Sequence, residues 1–118
     1  MMMNTETIRI YYNPRCSKCR AAVELVSERG YATELVEYLL TPPGKEDLRG
    51  LLHKLGMKPF ELVRTGDEAY EEYAGRTLSD EEWLEVLVSH PILIERPIVV
   101  RGDKAVVARP PEKALALL

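Results

Sequence analysis

The sequence predicts an α/β fold: a mixed sheet bearing helices, with a helical insertion between the second strand and a C-terminal hairpin. Three observations carry this. Two short β-branched and aromatic segments, 7–12 and 32–38, bracket one amphipathic helix, which implies a parallel crossover. The stretch 45–90 shows helical spacing only. Beyond it, two apolar runs flank Arg101-Gly102-Asp103-Lys104, with Gly-Asp at the turn centre of a hairpin.

Taken in order, Thr7–Tyr12 is a strand stopped by Asn13-Pro14. A helix over Ser17–Arg29 repeats Ala22, Leu25 and Val26 at helical spacing, and Gly30 ends it. Ala32–Tyr38 is the second strand, closed by Thr41-Pro42-Pro43-Gly44. The helix Lys45–Leu55 follows, with Leu48, Leu51, Leu52 and Leu55 on one face and Gly56 beyond. In the less regular middle, Pro59 starts a short helix carrying Phe60, Leu62 and Val63, and Glu68–Tyr73 forms another with a solvated acidic face. Ser79-Asp80-Glu81-Glu82 is a capping box that opens a helix with Trp83, Leu84, Leu87 and Val88 inward, ending near His90-Pro91. Strands Pro97–Val100 and Ala105–Ala108 make the hairpin, and Pro110 begins a last helix over Glu112–Leu118.

A chain of 118 residues fits one domain, 1–118, and buries roughly two-thirds of its unfolded surface without metal or disulfide staples. A net charge of −3 argues against a nucleic-acid or membrane partner, though not against a local basic pocket. The segment Met1–Thr7 lacks the basic, apolar and small-residue regions of a secretory leader, and no apolar run approaches membrane-spanning length. A cytoplasmic location is therefore expected, where two cysteines point to catalysis or metal rather than to a structural staple.

The chemistry concentrates in Asn13-Pro14-Arg15-Cys16-Ser17-Lys18-Cys19-Arg20, where a strand hands over to a helix. Thiols react as thiolates, and the free N–H groups of a helix start favour negative charge. With Arg15, Lys18 and Arg20 nearby, Cys16 is expected to ionise readily, and Cys19 lies about one turn on, in reach of a disulfide. A Cys-x-x-Cys beside strand–helix–strand is a thioredoxin-like redox signal. Zinc needs two further ligands, and His53 and His90 do not fall at finger spacing, so no metal is expected. Two inert core cysteines are the other reading, opposed by the surrounding charge.

The sequence resembles the thioredoxin-fold arsenate reductases of the glutaredoxin-coupled type. The resemblance runs from Ile8 to about Glu112 on Tyr12-Asn13-Pro14-Arg15-Cys16, Tyr38-Leu39 with Pro42-Pro43, Leu62-Val63-Arg64, the block His90 to Val100, and Ala108-Arg109-Pro110. It implies that Cys16 attacks arsenate, that Arg64, Arg96 and Arg109 surround the oxyanion, and that Arg96–Pro97 is a cis bond. It further implies no bound cofactor, with glutathione, a glutaredoxin or a thioredoxin as reductant and partner; a monomer is expected. The residues by themselves say less. Arg96, set among Ile92-Leu93-Ile94 and Ile98-Val99-Val100, needs an anion, and either a ligand or a carboxylate near Glu95 would serve. Arg64 and Arg109 by themselves pass for a solvated loop residue and a strand end.

The chain departs from the plasmid-borne type of that family at two positions: Tyr12 stands where that type has His, and Cys19 where it has Ser. The resolving thiol is accordingly either external or Cys19. Two readings of other classes remain beside the reductase. One is an Spx-like regulator that binds RNA polymerase through a redox-switched Cys-x-x-Cys; Arg109 before Pro110 matches the reductases instead. The other is a general thiol–disulfide oxidoreductase. His53 and His90 are expected to be structural, with His90 capping its helix, and Trp83 to anchor the helical insertion.

Overall fold

The computed structural model describes residues 6–118, so most of the segment read for a leader, Met1–Thr5, lies outside the described residues. The chain divides into two compact units, one running to Thr41 and resuming at Arg96–Leu118, the other Pro42–Glu95.

The first unit holds the sheet. Strand β1 (Thr7–Tyr12) pairs in parallel with β2 (Ala32–Glu37), and α1 (Ser17–Glu28) connects them. On its other side β1 pairs antiparallel with β3 (Ile98–Arg101), which pairs with β4 (Lys104–Val107). The order is β2-β1-β3-β4, the mixed sheet expected from the sequence. The hairpin strands are shifted by one residue from the expected ones. Pro97 has no N–H to give a ladder and falls outside β3, and Arg101 pairs directly with Lys104 across a two-residue turn. Gly102 has φ +60°, the left-handed conformation such a turn requires at its first centre.

Alternation decides which face of the sheet is core. Ile8 and Ile10 are fully buried, and Val99, the partner of Ile10, points the same way. Ala22 and Val26 of α1, Ala108 and Ala114 complete this cluster, with Tyr12, Val106 and Leu117 packed on its rim. Ala114 belongs to the C-terminal helical segment Pro111–Leu117, which is a 3₁₀ helix led by Pro111, one residue after the expected start. Arg29 and Gly30 close α1, Gly30 at φ +84°.

The second unit is the helical insertion. It contains α2 (Lys45–Leu55), α3 (Asp80–Ser89), and 3₁₀ segments at Pro59–Leu62, Glu68–Tyr73 and Pro91–Leu93. In α2, Leu48, Leu51 and Leu52 are buried while Leu55, the last residue before the left-handed Gly56 cap, is half-buried. The capping box at Ser79 is present in full: Ser79 Oγ accepts the Glu82 N–H at 3.1 Å and Glu82 Oε1 accepts the Ser79 N–H at 2.9 Å. In α3 Val86 is buried and Val88 only half so, contrary to expectation. At about 100° per residue the buried arc centres on Trp83 and Leu87, leaving Val86 nearer its middle than Val88. Trp83 does anchor the unit, its ring 5.0 Å from Phe60 and 6.1 Å from Tyr73. His90 is the C-cap of α3, its ring 5.8 Å from Tyr73, and His53 is exposed on α2. No helix of the described residues is long and apolar enough to cross a membrane.

Candidate active site

The site of the first unit begins where β1 ends. Asn13-Pro14 halts the strand, and the chain turns tightly: the Cys16 N–H donates to the Asn13 carbonyl at 2.9 Å. The Asn13 side-chain oxygen accepts the Arg15 N–H at 3.0 Å, the turn that Asn closes with backbone two residues on. Cys16 thus lands at the cap position of α1 in extended conformation, half-buried, and Arg20 follows its carbonyl at 3.1 Å in the first helical bond.

In the thiol form the Cys16 side chain closes no cap hydrogen bond. Its sulfur is an acceptor site all the same. Burial works against the charged form, but the N–H of Cys19, the Cys19 thiol, the N–H of Lys18 and the Arg109 guanidinium all face the sulfur and favour the thiolate, bringing the pKa down to about 7. Cys19 is driven the opposite way. It is fully buried, and burial pushes its pKa up to about 12. The Asn13 N–H and the Arg96 charge pull against this, while the Cys16 thiolate adds to it. The two thiols therefore titrate as a pair in which Cys16 loses its proton first. Both are free thiols here.

The expected helpers arrange in part differently from the sequence reading. The helix-start amides face the sulfur as expected, but Arg15, Lys18 and Arg20 are exposed, and the cation that faces it is Arg109. Arg20 works on the loop, donating from Nη1 to the Pro14 carbonyl at 2.9 Å. Arg109 donates from Nη1 to the Arg96 carbonyl at 2.8 Å, which holds its guanidinium by the thiol. Arg96 is 9% exposed, and Arg96–Pro97 is cis, as the resemblance implies; Arg109–Pro110 is cis as well. Tyr12 packs at the rim of the core cluster.

Arg64 belongs to the second unit. A single antiparallel bridge joins Val63 to Ile94, flanked by the Arg64 N–H to Leu93 carbonyl bond at 2.7 Å and the Glu95 N–H to Leu62 carbonyl bond at 2.9 Å. This register puts Arg64 and Glu95 on the same face, diagonal to each other. Arg64 Nε is 3.9 Å from Glu95 Oε1, and its buried Nε and Nη1 make no hydrogen bond among the described residues. The carboxylate that the sequence suggested for the vicinity of Arg96 thus faces Arg64.

Two residues escaped the sequence reading. Glu95 was visible only as a neighbour of Arg96, and nothing short of the Val63–Ile94 pairing reveals its diagonal partner. Asn13 did carry a signal, since Asn before Pro is a turn former with a known hydrogen bond, but it registers there only as a strand stop.

A family model described as the ArsC family matches residues 11–117. An arsenate reductase from Neisseria meningitidis serogroup A is 43% identical over 114 residues, which cover 94% of this chain and 97% of that protein. Uncharacterized protein YfgD of Escherichia coli K12 is 44% identical over 117 residues, 97% of this chain and 98% of its own length. The structure of arsenate reductase from Vibrio cholerae matches with a TM-score of 0.92 at 38% identity, covering 98% of this chain and 100% of that one.

Proposed function

The chain belongs to the ArsC family and has its thioredoxin-like fold, and on that premise we propose that it reduces arsenate to arsenite with Cys16 as nucleophile. The observation that carries this reading is the Cys16 thiol drawn down to about 7 at the cap of α1, with amide and guanidinium donors about it. Half of such a thiol is ionised at neutral pH, which is near the best compromise between thiolate fraction and nucleophilicity.

The Cys16 thiolate attacks As(V) and displaces an oxygen ligand as water, forming a covalent sulfur–arsenic bond. The same donors that hold the thiolate suit the oxyanion that replaces it, since amides and guanidinium groups stabilise tetrahedral oxyanions. Arg96 and Arg109 of the first unit supply cationic contacts, and the resemblance to the family adds Arg64 to them. Arg109 is already placed by the Arg96 carbonyl, and Arg64 carries buried N–H groups without hydrogen-bond partners among the described residues.

A second thiolate then attacks the Cys16 sulfur. The sulfur–arsenic electron pair leaves with arsenic, which departs as arsenite, and the two sulfurs end as a disulfide. That second thiol is glutathione, with a glutaredoxin reducing the mixed disulfide, or it is Cys19, with a thioredoxin reducing the internal one. Cys19 touches the Cys16 sulfur but has no exposure of its own, whereas Cys16 is open to an external thiol.

An NADPH-coupled arsenate assay on wild type, Cys16→Ser and Cys19→Ser, with glutathione–glutaredoxin and thioredoxin systems supplied separately, tests this. Cys16→Ser is expected to abolish turnover in both systems; full turnover in that variant sinks the mechanism. Cys19→Ser retaining turnover with glutathione and glutaredoxin assigns the second thiol to glutathione, and its loss in both systems assigns it to Cys19.

A further inference from the structure

A helix cap is ordinarily Ser, Thr, Asp or Asn, whose oxygen takes the free N–H groups of the first turn. In α1 that position is given to Cys16, whose thiol closes no such bond, so the loop entering the helix must be fixed from elsewhere. The holding groups converge on Asn13. Its carbonyl accepts the Cys16 N–H at 2.9 Å, its Oδ1 accepts the Arg15 N–H at 3.0 Å, and its own N–H faces the Cys19 sulfur. One residue therefore addresses both cysteines and the segment between strand and helix. Among the described residues the hydrogen bond of this half-buried side chain is the one from the Arg15 N–H, so its chemistry is spent on the turn.

We infer that Asn13 is a positioning residue for the thiol pair: its side-chain amide oxygen holds the 13–16 turn in the shape that aims the Lys18 and Cys19 N–H groups at the Cys16 sulfur. The inference rests on Cys16 being the reactive thiol of the reading above, and on nothing about arsenate. It also separates two jobs at the loop. Arg20, which donates from Nη1 to the Pro14 carbonyl at 2.9 Å, is a second tie on the loop that does not involve Asn13. The Asn13 oxygen sets the direction of the amides, a property that a looser but still folded loop would lose.

The reach of the acceptor makes this testable. Ser closes the same two-residue turn through its hydroxyl, whereas Gln keeps the amide but places its oxygen one methylene too far. Single iodoacetamide capture of Cys16, followed by intact mass across pH 5.5–9.5, reads the thiolate directly and needs no arsenate. Asn13→Ser is expected to keep the wild-type midpoint of about 7. Asn13→Gln is expected to raise it by about one pH unit, which is about fivefold less capture at pH 7. An unmoved midpoint in Asn13→Gln, or an equal shift in both variants, overturns the assignment. A protein that fails the arsenate assay but separates the two variants refutes the substrate and leaves Asn13 in place; the reverse pattern does the opposite.

Discussion

Arg109 donates from Nη1 to the carbonyl oxygen of Arg96 at 2.8 Å, so the side chain of one arginine is held by the backbone of the other. The residues lie 13 positions apart, at the entry to β3 and the exit from β4, and the hairpin register brings them together. A cation that is long and flexible in isolation is in this way given one place beside the Cys16 sulfur.

Arg109→Gln should therefore raise the Cys16 pKa above about 7, because a donor to the thiolate is lost while burial still opposes the charge. For a rise of about one unit, iodoacetamide capture at pH 7 falls about fivefold, and at pH 9.5 the variant and wild type converge. An equal loss at both pH values would mean that Arg109 acts on access to the sulfur and not on its ionisation.

The two thiols give opposite pH dependences of stability, and the signs follow from their shifts. Cys16 has a folded pKa lowered from 9.0 to about 7, so its contribution is complete above 9 and is lost as pH falls through 7. Cys19 has a folded pKa raised from 9.0 to about 12, so its contribution is complete below 9 and is lost as pH rises toward 12. Compared with wild type, Cys16→Ser should lack the gain in melting temperature between pH 7 and 9. Cys19→Ala should lack part of the decline above pH 9, on top of a constant offset for the lost packing. A difference between wild type and Cys19→Ala that stays flat from pH 8 to 10.5 contradicts the assignment of a buried, protonated thiol.

How much of this was legible in the sequence depended on the range of the interaction. The strands, α1, the capping box at Ser79 and the Arg101–Lys104 turn are local patterns, and each appears within a residue of where periodicity and turn chemistry put it. The 3₁₀ segments were harder. Pro59–Leu62, Glu68–Tyr73 and Pro111–Leu117 are too short for periodicity to separate from an α-helix, and Pro111, not Pro110, leads the last one. The helix-start N–H groups beside Cys16 are legible in the Cys-x-x-Cys and its strand-to-helix junction, whereas the cation that faces the sulfur is Arg109, distant in sequence, and not Arg15, Lys18 or Arg20. The Arg64–Glu95 pairing depends on a one-residue bridge between two loops, and no local pattern encodes that.

The hairpin turn offers a test of pure backbone conformation. Gly102 sits at φ +60°, and a Cβ added there would meet nothing within 4 Å, so packing makes no contribution. Gly102→Ala should then cost about 1 kcal/mol from the left-handed conformation alone. Gly102→Asn should cost less, since Asn tolerates that region. Urea midpoints compared at constant m-value measure both; equal losses would mean the turn relaxes to another type.

Trp83 provides the corresponding test in the second unit. It is the only tryptophan of the chain and is 5% exposed, with Phe60, Tyr70 and Tyr73 around it at ring separations of 5.0, 6.4 and 6.1 Å. Phe60 shares the contact but is 42% exposed. Removing a buried aromatic leaves a cavity, while removing a half-exposed one leaves mostly solvent, so the two sides of one contact should differ in cost. Trp83→Ala is expected to destabilise by about 3–5 kcal/mol, and Phe60→Ala by clearly less, both followed by far-UV circular dichroism in urea. If the two losses are equal, the energy resides in the ring–ring contact itself, and the burial of Trp83 on α3 is not what holds the insertion together.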